Sequence, residues 1–375
     1  MTRTQTLNLF RQQLRDLGAK PCHEDRVLRG WSQVISYDTV HSPADNFFPL
    51  RLREGLPALE SALANLARVQ GEYPANSHTN HDRSPSLQSS PASGRGGERE
   101  SSFINLAEVA RLLVKLSDGQ LTESVLLPRG GLCVSTQVGC AVGCVFCMSG
   151  RSGLIRQLGS AEIVAQVVLA RQRRAVSKVV FMGMGEPAHN LDNVLEAIAL
   201  LGTQGNIGHK NLVLSTVGDA RVFERLPLEK VKPALALSLH STNAALRAEL
   251  LPNAPPIPVE ELVERAEDYA RATGYPTQYQ WTLLAGINDS DAELARIVAL
   301  LAGKYAVMNF IPFNEVDGLT YRRPSAEHIA DMAIRLNKQG IYTRVRDSAG
   351  QEIEGACGQL RARAEKATRS PKFVR

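Results

Sequence analysis

"CVSTQVGCAVGCVFCMSG", residues 133–150, gathers four of the chain's six cysteines within fifteen positions. Cys140, Cys144 and Cys147 are spaced CxxxCxxC, which differs from the two separated CxxC pairs that close a tetrahedral zinc site. Three thiolates leave one position of a metal centre open. An iron-sulfur cube with one reactive iron needs that arrangement, whereas an electron carrier uses four cysteines. A structural zinc with a distant fourth ligand is the competing interpretation of the spacing. Gly139 and Gly143 suit a loop wrapped closely around such a centre.

The rest of the chain narrows the choice. Its 375 residues leave room for one large domain and a smaller one, with a core that needs no disulfides. The opening "MTRTQTLNLFRQQLRDLG" carries charges where a signal peptide needs an apolar run, and no stretch approaches the ~20 apolar residues that span a bilayer. A cytoplasmic protein with no membrane association is expected. There thiols stay reduced, so clustered cysteines point to metal binding or catalysis. Net charge is +5, and Lys and Arg concentrate in "RQRR" (171–174), "YRR" (321–323), "TRVR" (343–346) and the C-terminal tail. Such runs fit a nucleic-acid partner; solvated helix faces are the plainer explanation.

Leu7, Phe10, Leu14 and Leu17 repeat at helical spacing, with Gly18 as a C-terminal cap and Pro21 as a stop. Leu59, Leu63 and Leu66 suggest another helix, so residues 1–73 read as a small, mostly helical accessory domain. Residues 74–102 are rich in Ser, Pro, Asn and Gly and predict a disordered linker. Its His78 and His81 read as solvated loop residues.

From residue 103 to 362, short β-branched runs alternate with amphipathic helices, and residues 363–375 form a basic tail. Strands are expected at 124–128, 132–135, 178–183, 211–216, 234–239, 278–284, 307–312 and 341–346. Ser160 is expected to cap one helix, Asn190 a second, and Ser290 with Glu293 a third. About six strand-helix units imply an α/β fold with a parallel sheet, closed as a barrel or partial barrel.

"FMGMGEP" (181–187) ends a predicted buried strand. Glu186, between Gly185 and Pro187, can accept from an ammonium group there, although a tight turn alone would explain the motif. Ser215, the segment Ser238, Leu239 and His240, and Asn314 fall at equivalent strand ends, where parallel barrels place their chemistry.

The order "LCVSTQVGC", "GMGEP", "LSTVGD", "LSLH", "FIPFN" and "GACGQL" resembles the RlmN/Cfr family of radical S-adenosylmethionine RNA adenine C-methyltransferases, over residues 105–362. The resemblance implies a partial (βα)6 TIM-type radical SAM barrel. It implies that Cys140, Cys144 and Cys147 hold a [4Fe-4S] cluster whose open iron chelates S-adenosylmethionine. Gly185 and Glu186 would hold that cofactor's ammonium, with Ser215, Ser238, Leu239, His240 and Asn314 lining the rest of its site. Cys357 would accept a methyl group, Glu123 in "LTESVLLP" would take a proton, and Cys133 would form a disulfide with Cys357 to release a protein-RNA adduct. Cys22 matches no motif.

An ordinary methyl cation transfer has no partner at adenine carbon 2 or carbon 8, because neither is nucleophilic, so a radical route is required. The implied substrate is ribosomal RNA, transfer RNA or both, with carbon 2 the expected position. An electron donor such as flavodoxin and a monomeric enzyme are expected. One departure stands out: the segment after the cysteines reads "MSGRSGLIRQL" (148–158), where better-known members carry a Ser-Thr-Ala type. The contrasting functions are a radical enzyme acting on another substrate, and an RNA-binding protein stabilised by metal without catalysis.

Overall fold

The computed structural model describes residues 5–38, 43–75, 109–316, 318–346, 351–356 and 358–362. The chain opens with α1 (Leu7–Asp16), α2 (Pro21–Gln33), α3 (Ala44–Phe47) and α4 (Leu50–Ala64). Leu7, Phe10 and Leu14 form the buried stripe of α1, and the Thr6 hydroxyl caps it by accepting the Leu9 N–H at 3.2 Å. Gly18 adopts a positive φ of 84° at the turn. Pro21 opens α2 at its first position, where its missing N–H costs nothing.

Four strands follow: β1 (Ala67–Pro74), β2 (Ala110–Leu116), β3 (Leu121–Leu127) and β4 (Gly131–Cys133). They pair antiparallel in that order. Neither β1 nor β2 is legible in the sequence, since "ARLLVKL" is an unbroken apolar run that periodicity cannot assign. A hairpin, β5 (Gln137–Gly139) and β6 (Leu154–Gln157), frames the cysteine loop and leads into α5 (Ser160–Arg171).

The remaining units alternate: β7 (Lys178–Phe181), α6 (Leu191–Gly202), β8 (Leu212–Thr216), α7 (Ala220–Arg225), β9 (Ala234–Ser238), α8 (Ala244–Leu250) and α9 (Val259–Thr273). The chain continues through β10 (Thr277–Leu283), α10 (Asp291–Leu301), β11 (Ala306–Pro312), α11 (Ala326–Lys338) and β12 (Thr343–Val345). Strands β4 and β7 to β12 run parallel in sequence order. The fold is thus the expected radical SAM type α/β barrel, extended on one side by the antiparallel β1–β3.

Strand alternation sorts the core. Val179, Phe181, Leu214, Leu237, Trp281 and Phe310 face the helix layer, while Val180, Val213 and Ala236 join Cys133 in a separate inner cluster. Helices α2 and α4 pack on α5, and the Leu7 N–H donates to Ser160 Oγ at 2.8 Å. The helical N-terminal segment therefore shares one apolar core with the barrel, and β1 carries residues 67–74 into the main sheet. Ser160 does not cap α5. Gly159 occupies that position, with its N–H donated to Glu162 at 2.8 Å. The Ser/Pro-rich linker from residue 76 onward and the tail 363–375 lie outside the described residues. Among the described residues no helix is long and apolar enough to cross a membrane.

Candidate active site

The cysteine loop springs from β5 and is held at several points. A Cβ on Gly139, whose φ is 79°, would lie 2.0 Å from the Gly153 carbonyl oxygen, so only glycine allows the hairpin to close there. The Cys140 N–H donates to Gly153 at 3.1 Å, the Val145 N–H to Leu250 at 3.1 Å, and the Cys147 N–H to Cys144 at 3.0 Å. Cys140 is buried; Cys144 and Cys147 are half-buried. Burial pushes the Cys140 thiol up to about 11, helped by Glu186 and Cys147. Burial, Cys147 and Cys140 likewise raise Cys144.

Glu186 lies beside these thiols. The Gly185 backbone, at φ 102°, passes so close to Gln137 that a Cβ would sit 2.6 Å from that side chain. Gln137 accepts the Glu186 N–H at 2.8 Å and fixes the turn. The carboxylate accepts the Ala188 N–H at 3.1 Å and the Val217 N–H at 3.1 Å. Burial nevertheless pushes its pKa up to about 7, against those bonds and that of Thr216. Two thiols raised by burial and by their neighbours, next to a carboxyl whose pKa is about 7, make a site that added positive charge stabilises. Metal on sulfur and an ammonium on Glu186 fit it. Among the described residues, no three His, Cys, Asp or Glu side chains converge on a single ion; a four-iron cube spreads its thiolates over separate corners.

The other candidate residues lie at or just after the ends of parallel strands of the same sheet. Ser215 and Ser238 are half-buried at the ends of β8 and β9, and Asn314 is buried just after β11. The Leu239 side chain packs in the helix-facing core, and its N–H donates to the Gln280 carbonyl at 3.0 Å. His240 adopts a left-handed conformation with φ 60°. Its Nδ1 accepts the Thr282 N–H at 2.9 Å, and its ring meets Phe146, of the cysteine loop, edge-on at 4.8 Å. Burial first, then Arg247, lowers its pKa to about 3, so the ring is neutral.

Two residues that sequence reasoning missed hold this region. Asn288 Nδ2 donates to the His240 carbonyl at 2.7 Å and to Thr282 at 2.8 Å. Buried Arg247 donates to the carbonyls of Val217 and Ser238, and its charge lies near Cys144 and Glu186. Neither belongs to a recognisable motif, because each acts through a main-chain carbonyl.

Glu123 is fully buried in β3 and paired with Arg111. Its Oε2 accepts the N–H groups of Arg361 at 2.8 Å and Ala362 at 3.1 Å. Burial raises its pKa. The same C-terminal segment meets the cysteine loop, where the Met148 N–H donates to Gly358 at 2.7 Å and Ser149 Oγ to Leu360 at 2.8 Å. Cys133, at the end of β4, is buried in one cluster with Ile353 and Leu360. Cys357 itself lies outside the described residues. Beside these groups opens a cleft of about 620 Å3, bordered by Gln120, Val138, Met148, Arg151, Met184 and Arg361.

The chain matches the Radical SAM superfamily over residues 134–298. The superfamily's cofactors are a [4Fe-4S] cluster and S-adenosylmethionine. A probable RNA methyltransferase of Aromatoleum aromaticum is 64% identical over 354 residues, covering 94% of this chain and 91% of its own. One from Pseudomonas aeruginosa is 60% identical over 359 residues, covering 95% of each. A crystal structure of a radical SAM methyltransferase from Sphaerobacter thermophilus superimposes with a TM-score of 0.75 at 30% identity, over 96% of this chain and 98% of that one. Its cysteine loop, its barrel and these relatives together make the chain a member of the RlmN-like family of radical S-adenosylmethionine RNA methyltransferases.

Proposed function

We propose that this enzyme methylates carbon 2 of an adenosine in ribosomal or transfer RNA through an S-methylated Cys357 and a transient protein-RNA adduct. Cys140, Cys144 and Cys147 would hold the [4Fe-4S] cluster. When bound, that cluster supplies the electron that cleaves S-adenosylmethionine. Glu186 receives the cofactor's ammonium, while Gly185, Ser215, Ser238, the main chain of Leu239, His240 and Asn314 frame the remainder.

The observation that supports this most directly is the 2.7 Å bond from the Met148 N–H to the Gly358 carbonyl. It joins the neighbour of Cys147 to the neighbour of Cys357. That bond favours a role for Cys357 in carrying the methyl group. Glu123, raised by burial, is a stronger base than a solvated carboxylate and takes the proton lost from the base adduct. The Cys133 thiolate then attacks the Cys357 sulfur, and the bond from that sulfur to the methylene carbon breaks. The electron pair stays on carbon, which takes up a proton to become the methyl group, and the Cys133–Cys357 disulfide and free RNA result. The packing of Cys133 with Ile353 and Leu360, on either side of Cys357 in sequence, favours this pairing.

The cleft admits the substrate base. Met148, Ser149, Arg151, Ser152 and Ile155, all from the segment that departs from better-known members, line it. Target choice follows from that segment. The reaction needs an electron donor such as flavodoxin, and the reading includes a monomer in the reducing cytoplasm.

Mass spectrometry of ribosomal and transfer RNA from a deletion strain tests the proposal. Loss of 2-methyladenosine from one RNA, restored by the wild-type chain and not by Cys357→Ala, is expected. An unchanged methyladenosine inventory overturns it.

A further inference from the structure

Among the described residues, Arg247 on α8 is a buried cation, 5% exposed, with no carboxylate in ion-pair contact. Its Nη2 donates to the Val217 carbonyl and, at 3.3 Å, to that of Ser238. Its Nε has no hydrogen-bond partner among the described residues. The Glu186 carboxylate accepts instead from the N–H groups of Ala188 and Val217. A guanidinium keeps its proton inside proteins, and burying that charge without a counter-charge is costly.

The surroundings of Arg247 identify what offsets that cost. The Val145 N–H donates to the Leu250 carbonyl at 3.1 Å, and Asn253 Nδ2 to the Ala141 carbonyl at 2.9 Å. The end of α8 thus grips the cysteine loop on both sides of Cys144. Leu246 and Leu250, flanking Arg247 on its helix, pack in one apolar cluster with Cys140, Cys144 and Cys147. Val217, whose carbonyl Arg247 holds, is the residue whose N–H holds Glu186. Burial lowers the pKa of the guanidinium, and Cys144, then Glu186, oppose that.

We infer that Arg247 is the counter-ion of the cluster on Cys140, Cys144 and Cys147 and sets how readily that cluster is reduced. The inference rests on the cofactor reading given above. A cube held by three thiolates is anionic and becomes more so on accepting an electron, so a fixed cation beside it favours the reduced state. The one-electron donor loses the electron that the cluster gains, and Arg247 keeps its proton throughout. Exclusion of water strengthens the effect, because charges act further in a low-dielectric interior.

The test is an anaerobic redox titration of the reconstituted full chain, followed by electron paramagnetic resonance, for the wild type, Arg247→Gln and Arg247→Lys. Gln is neutral yet can still donate to a carbonyl, whereas Lys keeps the charge. Arg247→Gln should lower the equilibrium constant for reduction roughly tenfold, about 59 mV for one electron, and Arg247→Lys should stay much closer to the wild type. An equal drop in both variants overturns the inference, as does an unchanged potential in Arg247→Gln. Lost S-adenosylhomocysteine binding at unchanged potential would give Arg247 to the cofactor's carboxylate instead. If Arg247→Gln holds no cluster, the melting temperatures of the iron-free chains decide. A counter-ion role leaves the iron-free variant as stable as the iron-free wild type or more so; a purely structural role lowers it and overturns the inference. A wild type that takes up no iron would instead overturn the cluster reading itself.

Discussion

Glu123 Oε2 accepts the main-chain N–H of Arg361 at 2.8 Å, across 238 positions of sequence. Its other oxygen is paired with Arg111, whose Nε donates to the Ile353 carbonyl at 2.7 Å. One buried ion pair thus anchors the chain on both sides of Cys357. Any base role of Glu123 operates from within this clamp.

Glu123→Gln should therefore do more than slow the reaction. It leaves the buried Arg111 charge without its carboxylate, a change that costs about 3–5 kcal/mol, and it loosens residues 361–362. Hydrogen exchange should accelerate at the Arg361 and Ala362 amides. Unaltered exchange and stability, with activity alone lost, would restrict Glu123 to proton transfer.

His240 gives the protein a specific acid sensitivity. Its folded pKa of about 3 lies below the ordinary histidine value of 6.5, so below pH 6.5 the unfolded chain takes up a proton that the folded chain refuses. Stability is lost as pH falls from 6.5 toward 3, at up to about 1.4 kcal/mol per pH unit. Asparagine tolerates the left-handed backbone at this position. His240→Asn should remain folded and show a shallower loss of urea midpoint between pH 7 and pH 5 than the wild type. Parallel curves would contradict the neutral, buried ring.

Gly185→Ala forces a side chain into φ 102° and against Gln137. Strain of roughly 1–3 kcal/mol should result, and the Gln137 bond that fixes Glu186 should break. A lower melting temperature with greatly weakened S-adenosylhomocysteine binding is expected. Wild-type binding by this variant would show that the turn is not what orients Glu186.

The Ala75 N–H donates to the Val109 carbonyl at 2.9 Å, and Pro74 pairs with Ala110. The two ends of the Ser/Pro-rich segment thus meet across one rung of an antiparallel ladder. Replacing residues 77–107 with a short Asn-Gly turn should preserve melting temperature and cluster content. An insoluble or cluster-free product would assign the segment a structural role.

Cys133→Ala should keep about four irons per chain, which Cys140→Ala loses. It should still methylate Cys357 and then stall as a covalent RNA complex on denaturing gels. Adding Cys357→Ala should abolish that complex. Free turnover by Cys133→Ala would remove Cys133 from the release step.

The cysteine spacing, the GEP turn and the alternation of strands with helices were legible in the sequence because each depends on residues a few positions apart. Local spacing carried the fold class, the candidate cluster cysteines and the strand-end candidates. It could not show that "ARLLVKL" pairs beside β3, since an unbroken apolar run has no period. Nor could it show that Glu123 grips Arg361, that His240 turns left-handed against Phe146, or that Arg247 reaches the ends of β8 and β9. Those relationships depend on sheet register, on closure of the strands around an interior, and on the return of the C-terminal segment over the cysteine loop. All three are set by how distant apolar faces bury one another, which only the tertiary structure decides.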